Sequence, residues 1–283
     1  ALADVWLIPR IGLLSLCLPL LLSPPAFCIL PRYSSLILPM LVLVVMATLA
    51  TTLWTTDDPW LAREAANSAT ASLLFVANGY FQFTTGGYFD PSASRLPLLH
   101  LWSLGVEVQF YLFWPRAISV LFSKRPSKVV HVVLVATVVS GLLAAALCVL
   151  DPNVAFYSMP ARFWELAMGG LIALRAFRRL EGLKWLPVVG VCLVMVALGT
   201  PPGGRAAINV AIAVCGAVAL LAAIQSRASL GEIGRLLTWR PIVFVGLISY
   251  SLYLWHWPLL AIAHNLVVGE VSVLLRVSLC LLA

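Results

Sequence analysis

Long apolar runs, separated by short polar or Pro/Gly-rich breaks, set the pattern of this chain. They predict spans at 34–54, 99–122, 129–150, 159–176, 185–199, 206–225, 240–264 and 269–283, because roughly 20 apolar residues cross the hydrocarbon core of a bilayer. A further run, 11–30, is interrupted by Pro24-Pro25, and 185–199 is short. Residues 55–98 are polar and carry Asp57, Asp58, Arg63, Glu64, Asp90 and Arg95. Within them, 70–83 (TASLLFVANGYFQF) is apolar but too short to cross, so it reads as a re-entrant or interfacial helix. The runs lack the alternation of barrel strands. The expected fold is all-α: a polytopic transmembrane helical bundle of about eight to ten helices. A single membrane domain is expected over 1–283, with 1–30 atypical.

Composition narrows the picture. Hydrophobic residues make up 62% of the 283 residues and charged residues 10%. Soluble domains run at about 45–50% and about 25%, so too little polar surface exists to cover the apolar side chains of a soluble fold. The net charge of +7 does not imply nucleic acid, because the basic residues cluster between the apolar runs. Arg116, Lys124, Arg125, Lys128, Arg175, Arg178, Arg179, Lys184, Arg227, Arg235 and Arg240 fall in alternate connections, and the opposite set holds Arg63, Arg95 and Arg205. The positive-inside rule places the first set in the cytoplasm. The six cysteines (Cys17, Cys28, Cys148, Cys192, Cys215, Cys280) lie inside apolar runs without paired spacing, and are expected to be small buried hydrophobes.

Ionisable groups within a bilayer are costly, so each is a site candidate. In 96–115 (LPLLHLWSLGVEVQFYLFWP), His100, Ser103, Glu107 and Tyr111 share one helical face, with Trp102 and Gln109 pointing elsewhere. Glu107 must face a partner or a cavity, and a His on its stripe suits general-base chemistry. In 158–174, Arg162 and Glu165 are three residues apart. They either neutralise each other or anchor an anionic or sugar group. In 246–260 (GLISYSLYLWHWPLL), Gly246, Ser249, Tyr253 and His256 share a face, Tyr250 and Trp257 another, and Pro258 is placed to kink the helix. The bland alternative for each histidine is an interhelical hydrogen bond. His131 and His264 read as surface residues. No nucleotide-binding glycine loop, HExxH or GxSxG occurs, and metal ligation is unsupported.

The motif LLHLWSLGVEVQFYLFWP resembles the acyltransferase 3 signature His-Thr-Trp-Ser-Leu-x-Val-Glu-Glu-Gln-Phe-Tyr-Leu. YSMPARFWELAMGG (157–170) is similar to that family's Arg-x-Trp-Glu-Leu segment, and VGLISYSLYLWHWPLL (245–260) to its Tyr-Ser-Leu-Tyr-Leu-Trp-His segment. ASLLFVANGYFQFTTGGYFD (71–90) fits the stretch before the first motif. The resemblance implies a multi-pass enzyme of the bacterial inner (plasma) membrane that O-acylates surface carbohydrate. Acyl-CoA, commonly acetyl-CoA, would be co-substrate from the cytoplasm, with no bound cofactor and a carbohydrate acceptor outside. It implies catalytic roles for His100, Glu107 and His256. Substrate contacts would come from Ser103, Gln109, Tyr111, Arg162, Glu165, Ser249, Tyr250 and Tyr253.

The chain departs from the pattern in places. Leu101 follows His100, Val108 replaces the second Glu, and no His precedes His100. The family's first-helix Arg and His and its closing helix have no match, so a chain truncated at both ends is expected. A transporter of a sugar or lipid-linked substrate is the alternative, since polar stripes also line substrate paths. The orientation can be checked by labelling. A cysteine at Pro152 reacts with a membrane-impermeant thiol reagent from outside and one at Ser127 does not; the opposite pattern inverts the topology.

Overall fold

The computed structural model describes residues 29–86, 91–176, 183–200, 206–225, 231–267 and 272–282. Among them every regular element is helical, as the apolar runs require. The order is α1 (Ile29–Thr55), α2 (Pro59–Leu73), α3 (Ala77–Thr84), 3-10 turns at Pro91–Arg95 and Leu99–Leu101, α4 (Trp102–Lys124), a 3-10 turn at Pro126–Lys128, and α5 (Val129–Leu150). It continues with α6 (Pro152–Tyr157), α7 (Met159–Ala173), α8 (Leu186–Gly199), α9 (Ala206–Gln225), α10 (Gly231–Leu237), α11 (Arg240–Leu266) and α12 (Val273–Leu282). The candidate run 11–30 falls, but for its last two residues, outside the described residues; Cys17, Cys28, Arg178, Arg179, Arg205 and Arg227 lie wholly outside them.

Among the described residues, four stretches are long and apolar enough to cross a membrane: Leu38–Thr55, Pro126–Leu150, Ile208–Gln225 and Arg240–Leu266. Helix α8 is apolar but shorter. Helix α4 has 23 residues, about 34 Å at 1.5 Å each, yet Glu107, Gln109, Arg116 and Lys124 lower its apolarity. On α5, Val129, Val133, Thr137 and Ser140 form a buried stripe, while Val135, Val138, Val139 and Leu142 are more than half exposed. Such a bare valine and leucine surface is suited to lipid rather than water. The cysteines correct one expectation. Cys148, Cys192 and Cys215 are exposed free thiols on apolar helices, and Cys280 is half-buried. A small apolar side chain in a lipid-facing helix need not be inside the protein to be out of water.

The chain divides into two compact units, each described by itself. One comprises the described parts of 121–141 and 163–250. Its centre is the α8–α9 pair, where Leu186 packs with Ala219, Ala222 and Ala223. Two glycines set that approach. A Cβ on Gly216 would stand 2.9 Å from the Gly190 carbonyl oxygen, and one on Gly190 would stand 3.0 Å from the Gly216 carbonyl oxygen. Small residues let helix backbones close in where lipid supplies no hydrophobic drive. The backbone amide of Trp164 also donates to Ser140 Oγ at 3.0 Å, tying α7 to α5.

The other unit comprises the described parts of 24–120, 142–162 and 251–283. Here α1 packs on α2 through Leu41, Val44, Val45 and Thr48, which are buried. Helix α2 starts at an Asp-Pro step: Asp58 accepts from the Trp60 amide and Pro59 begins the first turn. This arrangement satisfies one orphan donor and presets φ. Apart from Leu61, its buried residues are small: Ala65, Ser68, Ala69, Ala71 and Ser72. Helix α6 repeats the device, with Asp151 accepting from the Asn153 and Val154 amides ahead of Pro152.

Gly216→Ile therefore separates α8 from α9 and destabilises the protein by about 1–3 kcal/mol, the usual range for overpacking. Gly246→Ala, at a helical glycine with nothing within 4 Å of the added carbon, does not. Thermal unfolding in detergent separates the two; equal melting temperatures for Gly216→Ile and wild type sink the assignment.

Candidate active site

The second unit gathers polar side chains from α3, α4, α6, α11 and the turn before α4. His100 sits in the Leu99–Leu101 turn rather than in the long helix the apolar run predicts. A 3-10 turn has three residues per turn, so residues three apart eclipse. Ser103 Oγ accordingly lies 3.3 Å from the His100 carbonyl oxygen. From α11, the Tyr253 hydroxyl donates to the same carbonyl at 2.6 Å and is 2.7 Å from Ser103 Oγ. Trp257 Nε1 donates to the Leu96 carbonyl at 2.8 Å. These bonds fix the His100 turn against α11.

The fixing brings two imidazoles together. The rings of His100 and His256 have centroids 5.6 Å apart in an edge-on arrangement, and Tyr253 lies 5.3 Å from the first and 5.9 Å from the second. His100 is 2% exposed and His256 1%. His256 Nδ1 lies 2.7 Å from the Tyr253 carbonyl oxygen and 3.1 Å from that of Leu252. A carbonyl can only accept, so Nδ1 carries the proton. In the neutral ring Nε2 then bears the lone pair. That nitrogen is buried and has no hydrogen-bond partner among the described residues, and both ring nitrogens of His100 share that condition. Pro258 follows within α11 and is buried, which removes the amide that would close on the carbonyl four residues earlier.

Glu107, on the buried side of α4, is 7% exposed and makes no hydrogen bond or ion pair among the described residues. Tyr111, one turn on, is half-buried beside Phe110, with rings 6.0 Å apart. Gln109 faces elsewhere, as its position on the helix predicts: Nε2 donates to the Phe75 carbonyl and to Asn78 Oδ1, both at 2.9 Å. Phe75 is the left-handed residue (φ 57°) that ends α2, closed by the Val76 amide on the Ala71 carbonyl at 2.9 Å. A non-glycine residue in this region costs of order 1–3 kcal/mol, and the bond from Gln109 holds it there. Gly105 allows the approach, since a Cβ would stand 3.0 Å from Asn78 Oδ1. Asn78 Nδ2 donates to the Tyr157 carbonyl at 3.2 Å, and Asn153 Nδ2 to the Gln82 and Thr85 carbonyls at 2.8 and 3.2 Å. Thus 70–83 is no single helix but an elbow between α2 and α3, clamped from α4 and α6.

Arg162 Nε donates to the Phe156 carbonyl at 3.0 Å, and the guanidinium lies over the rings of Phe156 and Trp102 at 5.0 and 5.1 Å. Tyr157, fully buried behind Trp102, has its phenol pushed up to about 12 by burial. Glu165, Ser249 and Tyr250 belong to the other compact unit, where Ser249 Oγ turns back to the Gly246 carbonyl at 2.8 Å. His131 and His264 are exposed, as expected. Among the described residues no group of three His, Cys, Asp or Glu side chains could hold a metal ion. The site residues that sequence patterning passes over are Asn78, Asn153, Trp102 and Tyr157. Asn78 left a signal, as one of two amides, with Gln82, in the apolar stretch 70–83.

The family model described as an acyltransferase domain matches residues 28–283. YrhL of Bacillus subtilis (strain 168), whose assignment as a peptidoglycan O-acetyltransferase is provisional, is 28% identical over 229 residues, covering 73% of this chain and 35% of that protein. The peptidoglycan O-acetyltransferase OatA of Listeria monocytogenes is 27% identical over 265 residues, covering 82% and 39%. The O-acetyltransferase OatA of Staphylococcus aureus (strain NCTC 8325 / PS 47) is 24% identical over 237 residues, covering 76% and 38%. The chain thus spans less than two-fifths of the length of these relatives. No solved structure matches.

The elbow can be tested directly. Gln109→Leu leaves Asn78 Oδ1 and the Phe75 carbonyl without their donor and destabilises the protein by about 1–3 kcal/mol, read as a lower denaturation midpoint. Gln109→Glu also fails to restore it, because a carboxylate cannot donate. A Glu variant as stable as wild type removes the clamp from the argument.

Proposed function

Because the chain belongs to the acyltransferase 3 family, we propose that it moves an acyl group, acetyl in the simplest case, from acyl-CoA to a hydroxyl of a cell-envelope carbohydrate. Peptidoglycan is the acceptor in the name of the Listeria monocytogenes relative. The donor would enter from the cytoplasmic side of the bacterial inner membrane and the acceptor from outside, with the multi-pass bundle as the path between them. One observation carries the reading: His256 Nδ1 is held by two backbone carbonyls, so a buried lone pair on Nε2 stands without a partner among the described residues. An imidazole oriented in this way is a ready general base.

In this reading Nε2 of His256 takes the proton of the acceptor hydroxyl as its oxygen attacks the thioester carbonyl carbon. The new C–O bond forms and the C–S bond breaks. The departing thiolate takes the proton back from the imidazolium, leaving CoA thiol and an O-acyl sugar. His100, whose ring stands edge-on to that of His256, is the second imidazole of the site, and Glu107 the third proton-handling group. Ser103 and Tyr253 position the His100 turn, and Gln109 the elbow. Arg162 holds the aromatic wall of Trp102 and Phe156. Tyr111, Glu165, Ser249 and Tyr250 remain assigned to substrate binding through the family motifs.

In proteoliposomes given radiolabelled acetyl-CoA and a soluble glycan, label moves covalently to the glycan; transport alone leaves it on CoA. His256→Gln lowers the transfer rate by roughly 10²–10⁴-fold, the worth of a general base, and Glu107→Gln abolishes transfer. Unchanged acylation in His256→Gln overturns the proton-transfer assignment.

A further inference from the structure

The second unit also holds an open cleft away from the imidazole pair. It offers about 40 Å³ of space, and its polar lining is Thr52, Thr55, Thr56, Arg95 and Asn265. This lining joins the end of α1, the Pro91–Arg95 turn and the end of α11. The apolar side is Leu61 with Ile262 and Leu266. That space suits about three waters, so it takes the edge and one substituent of a sugar ring rather than a whole ring.

The polar groups are already oriented. Arg95 Nε donates to Asn265 Oδ1 at 3.3 Å, and Asn265 Nδ2 returns a bond to the Arg95 carbonyl at 3.0 Å. This reciprocal pair fixes the guanidinium plane. One terminal nitrogen meets Asp58 only at 3.6 Å, with the two side chains 47% and 40% exposed. So loose and wet an ion pair is weak and leaves the guanidinium able to take a second anion. Thr52 and Thr55 donate back to the Thr48 and Thr51 carbonyls, each at 2.8 Å, which turns their lone pairs outward. Thr56 Oγ1 instead accepts from the Asp58 amide at 3.2 Å, which leaves its proton to donate. The cleft thus presents acceptors, a donor and one cation beside an apolar edge. That set matches a hydroxyl-rich ring bearing a carboxylate.

Its place in the chain adds a distance. Asn265 is nine residues beyond His256 on α11, about 14 Å along the helix axis, at the end the charge count assigns to the outside. We propose that this cleft is a binding subsite for a sugar unit that bears a free carboxylate in an acidic acceptor polymer, a neighbour of the unit that is acylated. The ligand class rests on the acyl-transfer reading; the cleft and its chemistry do not.

The experiment is a binding titration of nanodisc-embedded protein with a soluble N-acetylglucosamine–N-acetylmuramic acid tetrasaccharide and with its carboxyl methyl ester. Wild type binds the acid about tenfold more tightly than the ester, the worth of one charge-assisted hydrogen bond. Arg95→Gln loses that preference. Thr55→Val, at an exposed position, weakens both ligands alike. No binding to wild type, or an acid preference that survives Arg95→Gln, overturns the subsite. Acid-selective binding in a protein that transfers no acetyl group upholds it while removing the acyl-transfer reading.

Discussion

A polar atom withdrawn from water must find a partner, and within a hydrocarbon phase that partner can only be protein or substrate. Several donors of the second unit follow this constraint. The Tyr253 hydroxyl, Trp257 Nε1, Asn78 Nδ2, Asn153 Nδ2 and Gln109 Nε2 all end on protein oxygens, most of them backbone carbonyls. Buried oxygens of Thr48, Glu64, Ser72 and Asn153 lack a partner among the described residues, and so do three nitrogens, all of them on the facing imidazoles of His100 and His256. These nitrogens are the groups a reacting molecule would satisfy, and the bonds around them hold them where it would arrive.

The same constraint explains how the two sides of His256 differ. Its own helix takes one ring nitrogen, because residues three and four back turn their carbonyls toward it. The other nitrogen points away from that helix. Orientation therefore comes from α11 itself, and the neighbouring turn needs only to bring His100 within reach. The Tyr253 hydroxyl joins the two parts, since it sits one turn before His256 and grips the His100 backbone.

Much of this was legible in the residues. The runs 129–150 and 206–225 fall on α5 and α9 to the residue, because apolarity alone defines where a helix can lie in lipid. The face shared by Tyr253 and His256 also survives, since α11 is a regular helix there. Two things were hidden. His100 lies in a 3-10 turn, and hydrophobic periodicity cannot tell one tight turn from the first turn of a longer helix. The elbow at Phe75 depends on bonds from Gln109 and Asn78, which are contacts over 30 residues or more. Composition records the presence of an amide but not its partner. The Asp58-Pro59 and Asp151-Pro152 helix starts are readable from capping chemistry, since an Asp before a Pro supplies both the acceptor and the preset φ of a first turn.

The elbow has a consequence for biogenesis. Helices α2 and α3 leave the ribosome before α4, yet the left-handed joint between them is secured by a side chain that α4 supplies. Until Gln109 arrives, only local backbone bonds such as Val76 N–H to the Ala71 carbonyl reward the strained turn, and the hairpin is freer to relax. The elbow thus gains its last clamp only after both of its helices have been made, and a chain arrested before α4 would hold that joint by its local backbone bonds alone.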